Sequence, residues 1–276
     1  MYESYWNLLE KPFQNISDPK FLFYGETYEE AYIRLLYSVT ESKGLMLLTG
    51  EGGNGKTFVC KNFCRETRKQ GYQVAFIANP DLEPIEFLQS ILSEFKLEYR
   101  NKSKLELFKE LENFILENAK NGSTTIIVVD EAQSISNQKT LEELCVLLNI
   151  DCIDRIPINV VLAGKPELSQ TVLQVSSLHE RVGLRYRLRP LNLHETGEYI
   201  LFRLDKSGCQ RDIFTADAVK EVYEHTNGLP RKINNICDLA LLLGYGEGSI
   251  VVDKHLIKKA VEDLKGNVYS DRTVSA

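Results

Sequence analysis

The run Gly50-Glu51-Gly52-Gly53-Asn54-Gly55-Lys56-Thr57 meets the pattern G-x-x-x-x-G-K-[ST] at every constrained position. Each residue type has a chemical use in its place. The glycines let the backbone curl until several N–H groups face one spot, and the N-terminus of the helix that follows adds favourable partial charge there. A chain of phosphates suits such a concavity. Lys56 can reach the β- and γ-phosphates, and the Thr57 hydroxyl can ligate Mg²⁺. The expected nucleotide-contacting residues are Gly50, Gly52, Gly53, Asn54, Gly55, Lys56, Thr57 and Phe58, joined by Asp130 and Arg231 from further along the chain, with ATP and Mg²⁺ as ligands. The competing reading is an ordinary glycine-rich turn.

Ile126-Ile127-Val128-Val129-Asp130-Glu131 complements the loop, since an apolar strand ends there in two carboxylates. Asp130 would hold Mg²⁺ through water, so the metal residues are Thr57 and Asp130. Glu131 would polarise the attacking water. Alone, the pair could be a solvated acidic loop. Beside a phosphate loop it favours hydrolysis over storage, because hydrolysis needs a metal ligand and a base.

Other positions stay open between two readings. Asn79 could hold Glu131 until a partner or ligand releases it, or could start a turn with Pro80. Lys165, in Gly164-Lys165-Pro166-Glu167, could sense the γ-phosphate or lie in solvent. Arg231, in Gly228-Leu229-Pro230-Arg231, could reach the γ-phosphate across a cleft or stay on the surface. Arg181 could enter a neighbouring subunit's site as an arginine finger, or pair locally with Glu180 or Glu167. Arg185, Arg187 and Arg189 share one strand face, which reads as solvated or as an interface, with DNA or a partner protein as the sharper alternative.

These residues need a scaffold, and the apolar spacing supplies one. Strands are expected at 45–49, 74–78, 124–129, 159–163 and 184–188. Helices are expected at 29–41, 56–69, 84–95, 102–119 and 138–149. The alternation implies an α/β fold, a parallel sheet flanked by helices. After Pro190 only helices follow, at 193–207, 215–226, 230–243 and 253–265. The expected domains are a nucleotide-binding α/β core at 1–190 with an irregular N-terminal arm, a small all-helical lid at 191–265 and a flexible tail at 266–276.

The net charge of −6 lacks the basic footprint of a nucleic-acid binder, so no stable nucleic-acid complex is expected. The N-terminus has no secretory signature. No run approaches the roughly 20 apolar residues of a membrane span. The six cysteines form no Cys-x-x-Cys pair and read as reduced thiols. A cytoplasmic protein is expected, reaching the inner membrane only through partners.

Together these residues resemble the AAA+ ATPases of the ExeA/GspA family. The resemblance covers about 1–265. It rests on Tyr5-Trp6, Lys11-Pro12-Phe13, Asp18-Pro19-Lys20-Phe21, Thr49-Gly50-Glu51 and Asp130-Glu131-Ala132-Gln133, then Gly164-Lys165-Pro166-Glu167-Leu168, Arg189-Pro190-Leu191 and Gly228-Leu229-Pro230-Arg231-Lys232-Ile233-Asn234. It implies a P-loop AAA+ core followed by a helical lid. The implied role is ATP-driven assembly of an envelope secretion or pilus apparatus, by a homo-oligomer working with the envelope proteins it helps assemble. By the family pattern Asp130 is the Walker B metal ligand, Glu131 the catalytic glutamate and Arg231 the sensor 2 arginine. The family usually has Gln at Lys165 and Gln-Arg at Glu180-Arg181, so the arginine is kept. ExeA-type members continue into a membrane segment and a peptidoglycan-binding domain, which implies that this chain needs a partner to reach the envelope. The core also resembles DNA-loading transposition regulators of the TniB/TnsC kind, the alternative function.

Overall fold

The computed structural model describes residues 1–150, 157–209 and 211–266. The chain divides into two units, Glu26–Arg189 and Met1–Gly25 together with the residues from Pro190 on.

In the first unit, helix α1 (Glu26–Thr40) leads into β1 (Leu45–Gly50), α2 (Lys56–Lys69), β2 (Gln73–Ile77), α3 (Pro84–Glu94) and α4 (Lys104–Lys120). Next come β3 (Thr125–Val129), a 3₁₀ turn at Ala132–Ser134, α5 (Gln138–Leu147), β4 (Ile158–Gly164), α6 (Leu168–Gln174), α7 (Ser176–His179) and β5 (Val182–Leu188). The strands form one sheet in the order β2-β3-β4-β1-β5. Every pairing is parallel. Parallel strands covered on both faces read as unbroken apolar runs. Leu45–Leu48 and Ile126–Val129 do so, and are buried throughout. Alternate residues face opposite sides. Leu45, Leu47, Ile127, Val129, Val160 and Leu162 join a core with Phe87 and Ile91 of α3, Leu111 of α4 and Leu144 of α5. Each such side chain contributes roughly 1.5–3 kcal/mol by leaving water. Helices α1 and α2 pack on each other and on the sheet. The expected α/β class and its five strands are present, with ends shifted by one or two residues. The short helices α6 and α7 carry no periodic signal long enough to read.

Strand β5 is an edge, and its residues alternate between half-buried and exposed. Exposed Arg185 and Arg187 charge that edge, which discourages another strand from adding there. Arg187 pairs with Glu51 at 3.3 Å and Arg189 with Glu26 at 2.7 Å.

The second unit holds α8 (Leu193–Lys206), α9 (Ala216–Thr226), α10 (Pro230–Glu247) and α11 (Lys254–Leu264). The N-terminal arm belongs here, not with the α/β core as the expected partition had it. Its side chains explain why. Trp6 is fully buried and donates from Nε1 to Leu241 O at 2.9 Å. Phe13 meets Phe214 edge-on. Arg203 of α8 is buried, donating to Pro12 O at 2.5 Å and Gln14 O at 2.7 Å and lying 4.2 Å over the Phe21 ring. A buried cation is costly unless its donors are satisfied. Here the arm's carbonyls and an aromatic face satisfy them. Burial still pulls the Arg203 guanidinium below its ordinary range. The expected tail at 266–276 lies, beyond Gly266, outside the described residues, as does Cys152. Cys60, Cys64, Cys145, Cys209 and Cys237 are free thiols.

Candidate functional site

The glycine-rich loop leaves the C-terminal end of β1 and enters α2 at Lys56. Gly53 and Gly55 take φ of 81° and 89°, where a side chain is strained. A Cβ on Gly55 would also lie 2.7 Å from the Tyr28 hydroxyl. Tyr28, in the first turn of α1, donates to Asn54 O at 2.5 Å and braces the loop from outside. Asn54 is fully buried and donates from Nδ2 to Leu188 O at 2.7 Å, tying the loop to β5. Its Oδ1 is buried without a partner. No side chain caps the N-terminus of α2, so its orphan N–H groups suit an anion. Thr57 and Phe58 are half-buried in that first turn.

Lys56 is almost fully buried and donates from Nζ to Gly50 O at 2.8 Å and Glu51 O at 3.0 Å. An ammonium has three donors, so one remains for a ligand. Burial draws Lys56 below the usual lysine range, and the charges of Glu131 and Asp130 oppose that pull. Asp130, one residue past β3, is also buried. Burial pushes its carboxyl up, while hydrogen bonds from the Thr57 hydroxyl and the Glu131 N–H, the latter at 3.0 Å, work the other way. Two strands that flank β4 thus bring the Thr57 hydroxyl and the Asp130 carboxylate together. Two oxygen donors, one of them a buried carboxylate, suit a hard divalent cation such as Mg²⁺.

Glu131 has φ 51° and ψ 35°, a left-handed conformation that costs a non-glycine residue roughly 1–2 kcal/mol. That turn sends the chain into the 3₁₀ segment. The Glu131 carboxylate accepts from Gln133 Nε2 at 2.6 Å. Asn79 is exposed, and of the two readings open for it the hold on Glu131 is supplied by Gln133 instead. Lys165 is exposed, and its side chain passes within van der Waals range of the space above Gly52.

Arg181 immediately precedes β5, whose first residue pairs with Leu45 at the start of β1. The phosphate loop leaves the other end of β1. At ~3.3 Å per residue the strand separates them by roughly 17 Å. Arg181 donates to Leu148 O at 3.4 Å and to Asn149 Oδ1. The local ion pair with Glu180 or Glu167 is therefore replaced by bonds to the C-terminal end of α5, where a cation complements the helix dipole. Arg231 is exposed in the first turn of α10, which Pro230 opens. Arg231 belongs to the second unit. The sequence reading missed Tyr28 and Gln133 as site residues. Gln133 had a readable signal, since a tight turn brings residue i+2 back beside residue i. Tyr28 had none.

A parallel sheet with a glycine-rich loop closing β1 and paired carboxylates closing β3 defines a P-loop α/β protein of the AAA type. A family model for the AAA domain matches residues 39–172. The chain is 35% identical over 269 residues to General secretion pathway protein A of Aeromonas hydrophila, covering 96% of this chain and 49% of that protein. It thus spans about half the length of that relative. The fold resembles Cdc6p of Pyrobaculum aerophilum, with a TM-score of 0.72, 13% identity and coverage of 93% of this chain and 71% of that one. It also resembles the Aeropyrum pernix ORC2 protein, with a TM-score of 0.68, 17% identity and coverage of 93% and 72%. Across nearly all of its own length the chain is thus similar to a protein of the ExeA/GspA family, and it carries an AAA domain. Among the described residues no helix is long and apolar enough to cross a membrane.

Proposed function

We propose that this chain binds and hydrolyses ATP with Mg²⁺ and uses the cycle to help assemble a type II-like secretion apparatus or a type IV pilus. Within the family it looks most like MshM, the ATPase of mannose-sensitive haemagglutinin pilus biogenesis. The convergence of Lys56, Thr57, Asp130 and Glu131 on the phosphate loop carries the catalytic reading. Loop N–H groups and Lys56 bind the phosphates, and Glu131 takes the proton of the attacking water. Thr57 and Asp130 hold Mg²⁺, which when bound neutralises charge on the phosphate oxygens. Arg231 serves as the sensor 2 arginine. The envelope role rests on the relative's name, and the chain would work from the cytoplasm, meeting the inner membrane through partners.

Arg181 acts in trans under this proposal. Its place at the opposite end of the sheet from its own loop supports that reading. Assembly is then head-to-tail, giving a ring or an open helix. Hydrolysis should rise more than linearly with protein concentration. Arg181→Ala should bind ATP yet be inactive alone, and Lys56→Ala should be inactive alone. Mixed, they form junctions with an intact loop on one side and an intact arginine on the other, and activity should return. Full activity of Arg181→Ala alone, at every concentration, would leave Arg181 as a helix cap.

We also propose that no duplex DNA is stably held. Phosphate-driven binding needs several free cations. The chain carries net charge −6, and two of the three β5 arginines already have carboxylate partners. A gel shift with ATP at physiological salt should show no saturable binding. ATP-dependent coating of DNA would instead promote the transposition-regulator alternative.

A further inference from the structure

Gln133 spans two parts of the site, and both ends of its amide are used. Nε2 donates to Glu131 Oε2 at 2.6 Å, and Oε1 accepts from the Lys165 N–H at 2.8 Å. The two contacts fix the amide's sense. Turned over, it would set oxygen against carboxylate and nitrogen against an N–H donor. Gly164 permits the approach, because a Cβ there would collide with Gln133 Oε1. The amide therefore joins the carboxylate beyond β3 to the backbone that follows β4, beside the phosphate loop.

Glu131 needs such a tether. Its backbone is in the left-handed region and its side chain is only half-buried, so packing alone does not fix the carboxylate. Of the two carboxylate oxygens, the contact from Gln133 engages Oε2. Oε1 is left for a water.

We propose that Gln133 is the positioning residue of the hydrolytic site, holding the Glu131 carboxylate in register with the turn at Gly164-Lys165. The inference rests on Glu131 being the base. A shift of the Lys165 turn would then move the carboxylate with it. Through that link the end of β4 governs whether the base faces its water. Positioned bases contribute about 10²–10⁴-fold to a rate, so losing orientation while keeping the base should forfeit part of that.

The test uses the full chain, with ATP binding by calorimetry and turnover by phosphate release. Gln133→Met is close in shape and loses both contacts. Gln133→Glu keeps an acceptor for the Lys165 N–H and loses the donor to Glu131. Both variants should bind ATP as the unaltered chain does and lose about tenfold or more in kcat. Placed on Glu131→Gln, neither should lower turnover further, since Gln133 acts through that carboxylate. Normal kcat in Gln133→Glu with loss only in Gln133→Met would reduce the residue to an anchor for the Lys165 turn and overturn the proposal. So would an equal further loss on Glu131→Gln. Full turnover in Glu131→Gln alone would instead remove the base assignment itself, a failure distinct from silent Gln133 variants on a chain that still needs Glu131.

Discussion

Lys56→Ala is expected to abolish detectable ATP binding. The ammonium is almost fully buried, is bonded to Gly50 O and Glu51 O, and has one donor left over. Hydrogen bonds involving a charged group contribute about 1.5–3 kcal/mol each. One such bond to a phosphate oxygen amounts to a factor on the order of 10–10² in affinity, and loss of the positive charge beside the phosphates weakens binding further. Alanine also removes a positive charge that interacts with Asp130 and Glu131 and leaves two loop carbonyls without their donor. The loop could loosen as well, so a thermal midpoint measured beside the titration separates a lost ligand contact from a lost fold. Calorimetry or a fluorescent nucleotide reads the binding directly. Affinity equal to that of the unaltered chain would remove the phosphate assignment, and the loop would then be a structural turn.

Glu131→Gln should divide binding from chemistry. The substitution keeps the shape, and a glutamine oxygen can still accept from Gln133 Nε2, so the local contacts survive. What disappears is an oxygen able to take a proton. ATP affinity should be unchanged while turnover falls on the order of 10²-fold or more. Assembly that depends on bound ATP should persist in this variant, because the nucleotide stays intact. Normal phosphate release would place the base elsewhere, and Gln133 would lose its proposed purpose at the same time. The two variants also discriminate between functions: a nucleotide-gated scaffold needs Lys56 and is indifferent to Glu131, whereas an ATP-driven assembly factor needs both.

The parts whose physics is local were legible in the order of the amino acids. The phosphate loop is one: its glycines, Lys56 and Thr57 are contiguous, so backbone curvature and the helix N-terminus follow from adjacency. The buried strands are another, since unbroken apolar runs such as Ile126–Val129 suit only an element covered on both faces. The helical character beyond Pro190 follows from apolar spacing in the same way. The tertiary structure decided what depends on who meets whom. Strand order places β4 between β1 and β3, and that order, not spacing, brings the Asp130 carboxylate to the Thr57 hydroxyl. The turn after β4 meets Gln133, so the partner of Glu131 is a residue two positions on and not Asn79. The parallel register with β1 sets Arg181 at the end of the sheet remote from its own loop. The arm is the plainest case. Trp6, Phe13 and Phe21 announce in sequence that they must be buried, but burial of apolar surface is non-directional and names no partner. Directional groups supplied by α10 and α8, among them the carbonyl at Leu241 and the guanidinium of Arg203, assign the arm to the helical unit.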